Sequence, residues 1–252
     1  MPAAPHTEPR PAWVVGTGFL GSALLRALPH AIGIDCAAPA DVRGDAADAA
    51  VLARAAQTLA PQLVFCCTAT HGGDAAAYRH AYRDVVAALP QGVRVVFCSS
   101  TSVEHADGER QRVLRAVEDA VLARGGVVVR LAPLYGPGRC ELLRRHLARE
   151  PRLAGEPTRM LNYLHVQDAV DALLLLAARG ESRCYSVSGE SFTKAAAYAL
   201  LERLTGIPAS DADAAYSCRG GGSHAVDTAA IRALGWQPAH SFADFVTDAC
   251  HA

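Results

Sequence analysis

Apolar residues along this chain fall into short unbroken runs separated by longer stretches of helical spacing. The first run, Trp13-Val14-Val15, gives way to a helix-like pattern over 20–28. A second run over 31–34 ends on Asp35, and the turn-rich piece Asp41-Val42-Arg43-Gly44-Asp45 leads into an Ala-rich helical stretch reaching residue 59. A continuous apolar run follows at 63–67, and strand-like runs interrupted only by Arg94 and Arg130 follow at 93–98 and 127–131, with helical stretches at 75–89 and 109–124 between them. Strands that are apolar at every position must be covered on both faces, and strand-helix alternation joins them in parallel. The pattern therefore predicts an α/β protein with a Rossmann-type doubly wound parallel sheet over 12–150.

The last third is more broken, with Pro or Gly at 151, 155, 157, 189, 206, 208 and 220–222. It reads as a smaller substrate-binding lobe over 151–252, interleaved with the first domain. Helices are expected near 168–179, 192–205, 228–234 and 241–250. Short strands near 160–164 and 184–187 are expected to rejoin the main sheet, and residues 1–11 read as a disordered Pro-rich tail.

Composition removes several function classes. A net charge of -1 provides no basic field for nucleic acid and no polybasic stripe for a membrane surface. The apolar run 172–178 is far too short to span a bilayer. The eight cysteines (36, 66, 67, 98, 140, 184, 218 and 250) show no metal-ligand spacing. They read as free thiols of a reducing, cytoplasmic setting, with the adjacent Cys66 and Cys67 on alternate faces of one strand.

The most informative stretch is 13–21, where Gly16, Gly18 and Gly21 join a strand to a helix. In a dinucleotide loop the first glycine makes the tight turn, and the second leaves room for the pyrophosphate. The third lets the helix pack against the strand, and the helix N-terminus faces the phosphates. Phe19 and Leu20 complete the loop. Asp35 stands where a carboxylate takes the ribose hydroxyls, which favours NAD and repels the 2′-phosphate of NADP. NADP stays open through Arg43, which could fold back toward the adenosine. Ligands on such sheets lie beyond the carboxyl ends of the strands. The glycine loop, Asp35, 68–73 and 99–102 all fall there.

These residues resemble the extended short-chain dehydrogenase/reductase superfamily, the NAD-dependent epimerase/dehydratase group. The matching pieces run nearly end to end: VVGTGFLG, DVRGD, VVFCSSTSV, VVVRLAPLYGPGR, LNYLHVQDAVDALLLL, CYSVSGESFT and AAIRALGWQPAHSFADFV. The resemblance implies that Asp45 and Ala46 flank the adenine, and that Cys67, Thr68 and Ala69 follow the cofactor's ribose and pyrophosphate. It places Ser99 and the catalytic Ser100 after the fifth strand, Leu131 and Pro133 (with Ala132 between them) near the nicotinamide, and Thr101, Tyr135, Arg139 and His165 beside a small-molecule substrate. Homodimer pairing through 75–89 and 109–124 is left open.

One departure matters more than the matches. The family's Tyr-x-x-x-Lys pair lies on the helix after the Ser strand, where four-residue spacing puts both groups on one face. The Lys lowers the Tyr pKa so that the phenol can exchange a proton. This chain has no Tyr between Tyr82 and Tyr135. An alignment anchored on Glu118 puts Arg110 at the Tyr position and Leu114 at the Lys position. Arg stays protonated and is a poor shuttle. The chain is similar to small atypical members whose helix reads like its own Arg112-Val113-Leu114-Arg115-Ala116-Val117-Glu118.

Each candidate has a plainer structural alternative. Ser100 either meets a substrate oxygen or caps the strand end. His71 and His105 are proton-transfer candidates or loop histidines, and His165 with Asp168 either borders the substrate or hydrogen-bonds structurally. Tyr135 packs under the Gly136-Pro137-Gly138 turn or meets substrate. Lys194 reads as solvated surface. Two readings follow from these residues. One is an NAD(P)-dependent oxidoreductase acting on a small biosynthetic intermediate, with a C=N bond as a substrate that needs no phenol donor. The other is a non-catalytic NAD(P)-binding sensor or complex partner. A sugar-nucleotide epimerase or dehydratase is a further alternative.

Overall fold

The computed structural model describes residues 10–37, 39–69, 73–217 and 223–251. Strands β1 (Ala12–Val15), β2 (Ile32–Asp35), β3 (Val42–Arg43), β4 (Leu63–Cys66), β5 (Arg94–Ser100) and β6 (Val127–Leu131) come first along the chain. After them come β7 (Leu134–Tyr135), β8 (Arg152–Ala154), β9 (Met160–His165), β10 (Cys184–Val187), β11 (Glu190–Thr193) and β12 (Ala212–Ser217). Seven of these form one sheet in the order β10-β6-β5-β4-β1-β2-β3, flanked by helices. The order reverses between β1 and β4, which is the topological switch of a doubly wound fold. Parallel pairing sets Val15 beside Ile34 and Cys66, so these strands end along one edge.

The apolar runs explain the sheet. Every residue of β1 and of β4 is buried, as strands covered on both faces require. Side-chain caps start two of the helices. Asp48 accepts from the Ala50 N–H at 2.8 Å, and Asp74 accepts from Ala76 and Ala77 at 3.0 Å each. The expected single helix at 75–89 is interrupted, because Arg79–Asp84 forms a wider π turn between Ala75–Tyr78 and Val85–Ala88. The Thr68 hydroxyl donates to the Ala81 carbonyl inside that turn at 2.7 Å.

The chain divides into two compact units. The first comprises Met1–Cys98, Arg112–Val128 and Leu176–Cys184, and the second Ser99–Gln111, Val129–Leu175 and Tyr185–Ala252. In the second unit β9 pairs antiparallel with β11 and parallel with β7, and β12 pairs with β8. Of the two strands expected to rejoin the main sheet, β10 does so, while β9 becomes the centre of this separate three-stranded sheet. The core of the second unit gathers Tyr135, Leu143, Leu161, Leu201, Phe242 and Val246. Helix Lys194–Thr205 contributes to it, capped by the Thr193 hydroxyl and stopped by Gly206 at φ 69°. Lys194 itself is buried and donates to the Gly155 carbonyl, which corrects the expectation of a solvated side chain.

Candidate functional site

In the first unit the three glycines have different neighbours. Gly16 sits at φ 89°, and a Cβ there would lie 2.8 Å from the Cys67 carbonyl carbon and the Thr68 nitrogen. A Cβ at Gly21 would meet the Gly16 oxygen at 1.9 Å. Both glycines are therefore demanded by the fold of the loop itself. At Gly18 the situation is opposite: among the described residues nothing lies within 4 Å of where a Cβ would stand. Gly18 is also the N-cap of helix Phe19–Ala27, with no side-chain cap. An uncapped helix N-terminus behind a bare, open α-carbon is a surface shaped for an anion.

The carboxylate of Asp35 turns back onto this loop. It accepts from the Thr17 N–H at 2.7 Å and from Ala37 at 2.8 Å, fixing the end of β2 against the turn after β1. Asp45 accepts from Ala47 and pairs with His80 Nε2 at 2.6 Å. The Ala47 N–H holds its carboxyl below the usual range, with His80 adding to the effect and partial burial opposing it. Sequence reasoning missed His80, because nothing local ties it to a residue 35 positions away. Phe19 is half-buried, Leu20 and Ala46 are buried, and Ala69 is exposed. Cys67 and Thr68 form the floor under Gly16. His71 lies outside the described residues. On the helix Glu109–Ala123, Leu114 is buried at 1% exposure and Glu118 at 2%, so the alignment's Lys position is a core position.

In the second unit Ser100 caps the turn that follows β5. Its hydroxyl accepts from the Ser102 N–H at 3.2 Å and donates to the Ser102 hydroxyl at 3.0 Å, which in turn receives Gln111 Nε2. Ser99 and Thr101 are buried, with Thr101 facing the Leu131 carbonyl at 3.5 Å; Leu131 is buried and Pro133 exposed. Tyr135 is 2% exposed and meets His165, Phe242 and Phe245 edge-on, with ring centroids 5.1–5.2 Å apart. Burial pushes its phenol well above the ordinary range, with the carboxylates of Glu190 and Asp168 adding to it. Its neighbours close around this ring and place it in the core of the second unit. Arg139 is exposed.

His165 stacks on His240 at 4.1 Å, and burial followed by the neighbouring His240 lowers its pKa. Beneath the pair, Asp168 accepts from the Ala239 and His240 backbone at 3.0 and 3.2 Å and from His240 Nδ1 at 2.7 Å. A cavity of about 530 Å³ opens here, bordered by Pro137, His165, His240, Asp244 and Phe245. Neither the glycine loop nor Ser100 lines it. Among the described residues no cluster is placed to hold a metal ion, and no helix is long and apolar enough to cross a membrane.

No family model and no curated protein matches the sequence. Solved structures do match, over nearly the whole chain. A UDP-N-acetylglucosamine 4-epimerase from Methanobrevibacter ruminantium is 15% identical with a TM-score of 0.81, covering 97% of this chain and 98% of that one. A UDP-glucose 4-epimerase from Thermus thermophilus, in complex with NAD, is 19% identical with a TM-score of 0.76, covering 94% and 96%. The dTDP-glucose 4,6-dehydratase of Bacillus anthracis, also with NAD, is 14% identical with a TM-score of 0.77, covering 96% of each. The chain has the fold that these epimerase and dehydratase structures share. At these identities the likeness carries the arrangement of strands and helices, and the chemistry rests on the side chains just described.

Proposed function

We propose that the protein binds NAD through its first unit and uses it as an enzyme on a small metabolite. The observation that carries this reading is the division of labour in the glycine loop, where two glycines are needed by the fold and Gly18, among the described residues, has nothing beside its α-carbon. The residues fit the group: the helix N-terminus at Gly18 would receive the pyrophosphate, Asp35 the adenosine ribose, and Asp45 with Ala46 the adenine edge. Asp35 accepts a backbone N–H at each oxygen, from Thr17 and from Ala37, and these bonds hold its carboxylate at the loop where the ribose would lie. Solved structures with this fold that contain NAD support the choice of dinucleotide. Bound there, NAD supplies a hydride acceptor or, when reduced, a donor.

For the chemistry, an oxidoreductase acting on a C=N bond is the reading that asks least of the side chains present. A substrate that arrives already protonated needs no donor at the two positions held by Arg110 and Leu114. Ser100 would orient the substrate from the turn that it caps. The burial of Leu114 specifically favours a second reading, a protein that binds NAD without turning it over. Epimerase or dehydratase chemistry on a sugar nucleotide stands third, since it needs the missing acid and base. Titration of NADH fluorescence tests binding for all three. Oxidation of bound NADH by cyclic imines, with none by ketones and no turnover of UDP- or dTDP-sugars, would support the first. Tight binding with no turnover of any substrate class would move the assignment to the second, and failure to bind either NAD or NADP would overturn the proposal.

A further inference from the structure

Two thiols at the carboxyl edge of the sheet do no chemistry in the reading above. Strands β4 and β5 pair in a register that sets Cys66 beside Phe97, so the next step along brings Cys67 beside Cys98. Residues opposite each other in parallel strands share a face, and here the two Sγ atoms are 3.6 Å apart. Cys66 points the other way, fully buried, with its sulfur 3.7 Å from the Thr68 hydroxyl. Neighbouring strands lie about 4.8 Å apart, inside the roughly 4.4–6.8 Å between α-carbons that a disulfide accepts. Access differs between the two: Cys67 is half-buried and Cys98 buried. Its contact with Cys67, and burial, keep the Cys98 thiol protonated well above the ordinary range. One thiol is thus reachable from solvent, and the other waits behind it.

We propose that Cys67 and Cys98 form a reversible disulfide, and that closing it weakens dinucleotide binding at the glycine loop. The second half rests on the reading that this loop holds NAD. The oxidant is a low-molecular-weight disulfide. The Cys67 sulfur attacks one of its sulfurs, the S–S bond breaks, and one small thiol leaves carrying the Cys67 proton. The Cys98 sulfur then displaces the second small thiol from Cys67, its own proton going to that leaving group. Two protein thiols are oxidised by two electrons and one small disulfide is reduced to two thiols; excess dithiol reverses the exchange.

The coupling follows from what Cys67 supports. Its backbone N–H donates to the Val15 carbonyl at 2.7 Å, and its peptide to Thr68 lies directly under Gly16. Drawing the sulfurs from 3.6 Å to bonding distance, about 2.05 Å, pulls Cys67 toward β5. The floor on which the tight turn rests then moves with it.

The test uses the full chain with the exposed Cys36 and Cys250 replaced by Ser, incubated with oxidised glutathione. Intact mass and peptide mapping should show the loss of two hydrogens, a 67–98 linked peptide and no glutathione kept on either residue, all reversed by dithiothreitol. The Cys98→Ser variant should instead keep a glutathione adduct on Cys67. NADH should bind several-fold more weakly to the oxidised protein and regain its affinity on reduction. A stable adduct on Cys67 without the cross-link, or a link from Cys67 to any other cysteine, overturns the disulfide. A 67–98 link with unchanged NADH affinity overturns the coupling. If the reduced protein binds no NADH, the NAD reading fails while the mass data still decide the disulfide.

Discussion

A methyl group added at Gly18 enters space that no described residue occupies, and it does so on a backbone with φ -66°, which alanine adopts without strain. Gly18→Ala should therefore change folding stability by less than about 1 kcal/mol, in the stabilising direction through the unfolded chain. Its effect on ligand binding should be much larger. The methyl would stand between the pyrophosphate and the first N–H groups of helix Phe19–Ala27. A hydrogen bond to a charged group is worth about 1.5–3 kcal/mol. Loss of one raises the dissociation constant for NADH by roughly 10- to 100-fold. The neighbouring glycines provide the contrast. At Gly21 the added Cβ would lie 1.9 Å from the Gly16 oxygen, and at Gly16 it would combine φ 89° with 2.8 Å contacts to backbone. Each should cost at least the upper part of the ~1–3 kcal/mol range for overpacking and fail first as a fold. Urea denaturation and NADH fluorescence titration on the three variants separate the effects. A folded Gly18→Ala protein that binds NADH as tightly as the parent refutes the reasoning, as does a Gly18→Ala protein as unstable as Gly21→Ala.

Asp168→Ala removes a buried carboxylate that holds three donors from 239–240, leaving two backbone N–H groups unpaired. A loss of about 3 kcal/mol in urea denaturation is expected, and a loss below ~1 kcal/mol would show that water replaces the carboxylate. His165 and His146 both have pKa values lowered by burial, so the unfolded chain binds more protons than the folded one. Stability should be fully present above the unfolded histidine value of about 6.5 and fall as pH drops below it. A double His146→Gln, His165→Gln variant should flatten that slope, and a slope unchanged in the variant would place its origin elsewhere. Leu114→Lys, which restores the resembled family's residue type, should destabilise by several kcal/mol, whereas Leu114→Met should cost less than about 1.5 kcal/mol. A stable Leu114→Lys protein with new activity on sugar nucleotides would mean that the position still opens onto a reactive face.

The sheet was legible because its determinants are local. Unbroken apolar runs mark β1, β4 and β5, and the glycines at 16, 18 and 21 mark the turn between β1 and its helix, all within short windows of sequence. What the sequence hid lies in side chains whose partners are far away along the chain. Asp168 reads as an ordinary first-turn acid, yet it holds a segment 71 and 72 residues downstream. Lys194 reads as surface because its partner, the Gly155 carbonyl, has no sequence signature. The strand β11 carries Glu, Ser, Phe and Thr, all half-buried, so neither an apolar run nor a clean alternation announced it. Strand β9 was visible, but its sheet was not, since nothing local says whether a strand joins the main sheet or founds another.

The missing Tyr-Lys pair takes on a different meaning once the helix carrying those positions is placed. If only the two side chains had been lost from an open site, the helix face would be expected to remain polar or exposed there. Instead Leu114 is buried together with Val113, Val117, Glu118 and Val121 on helix Glu109–Ala123. A lysine at 114 would have to bury its ammonium in a row that is aliphatic apart from Glu118, one turn further along the helix. On the alignment anchored at Glu118, the departure thus falls at a buried position of the helix. In the proposed reaction the proton would come from the substrate or from groups outside this helix. For that reason the C=N reading and the non-catalytic reading outrank sugar-nucleotide chemistry, even though the solved structures that share the fold are sugar-nucleotide enzymes.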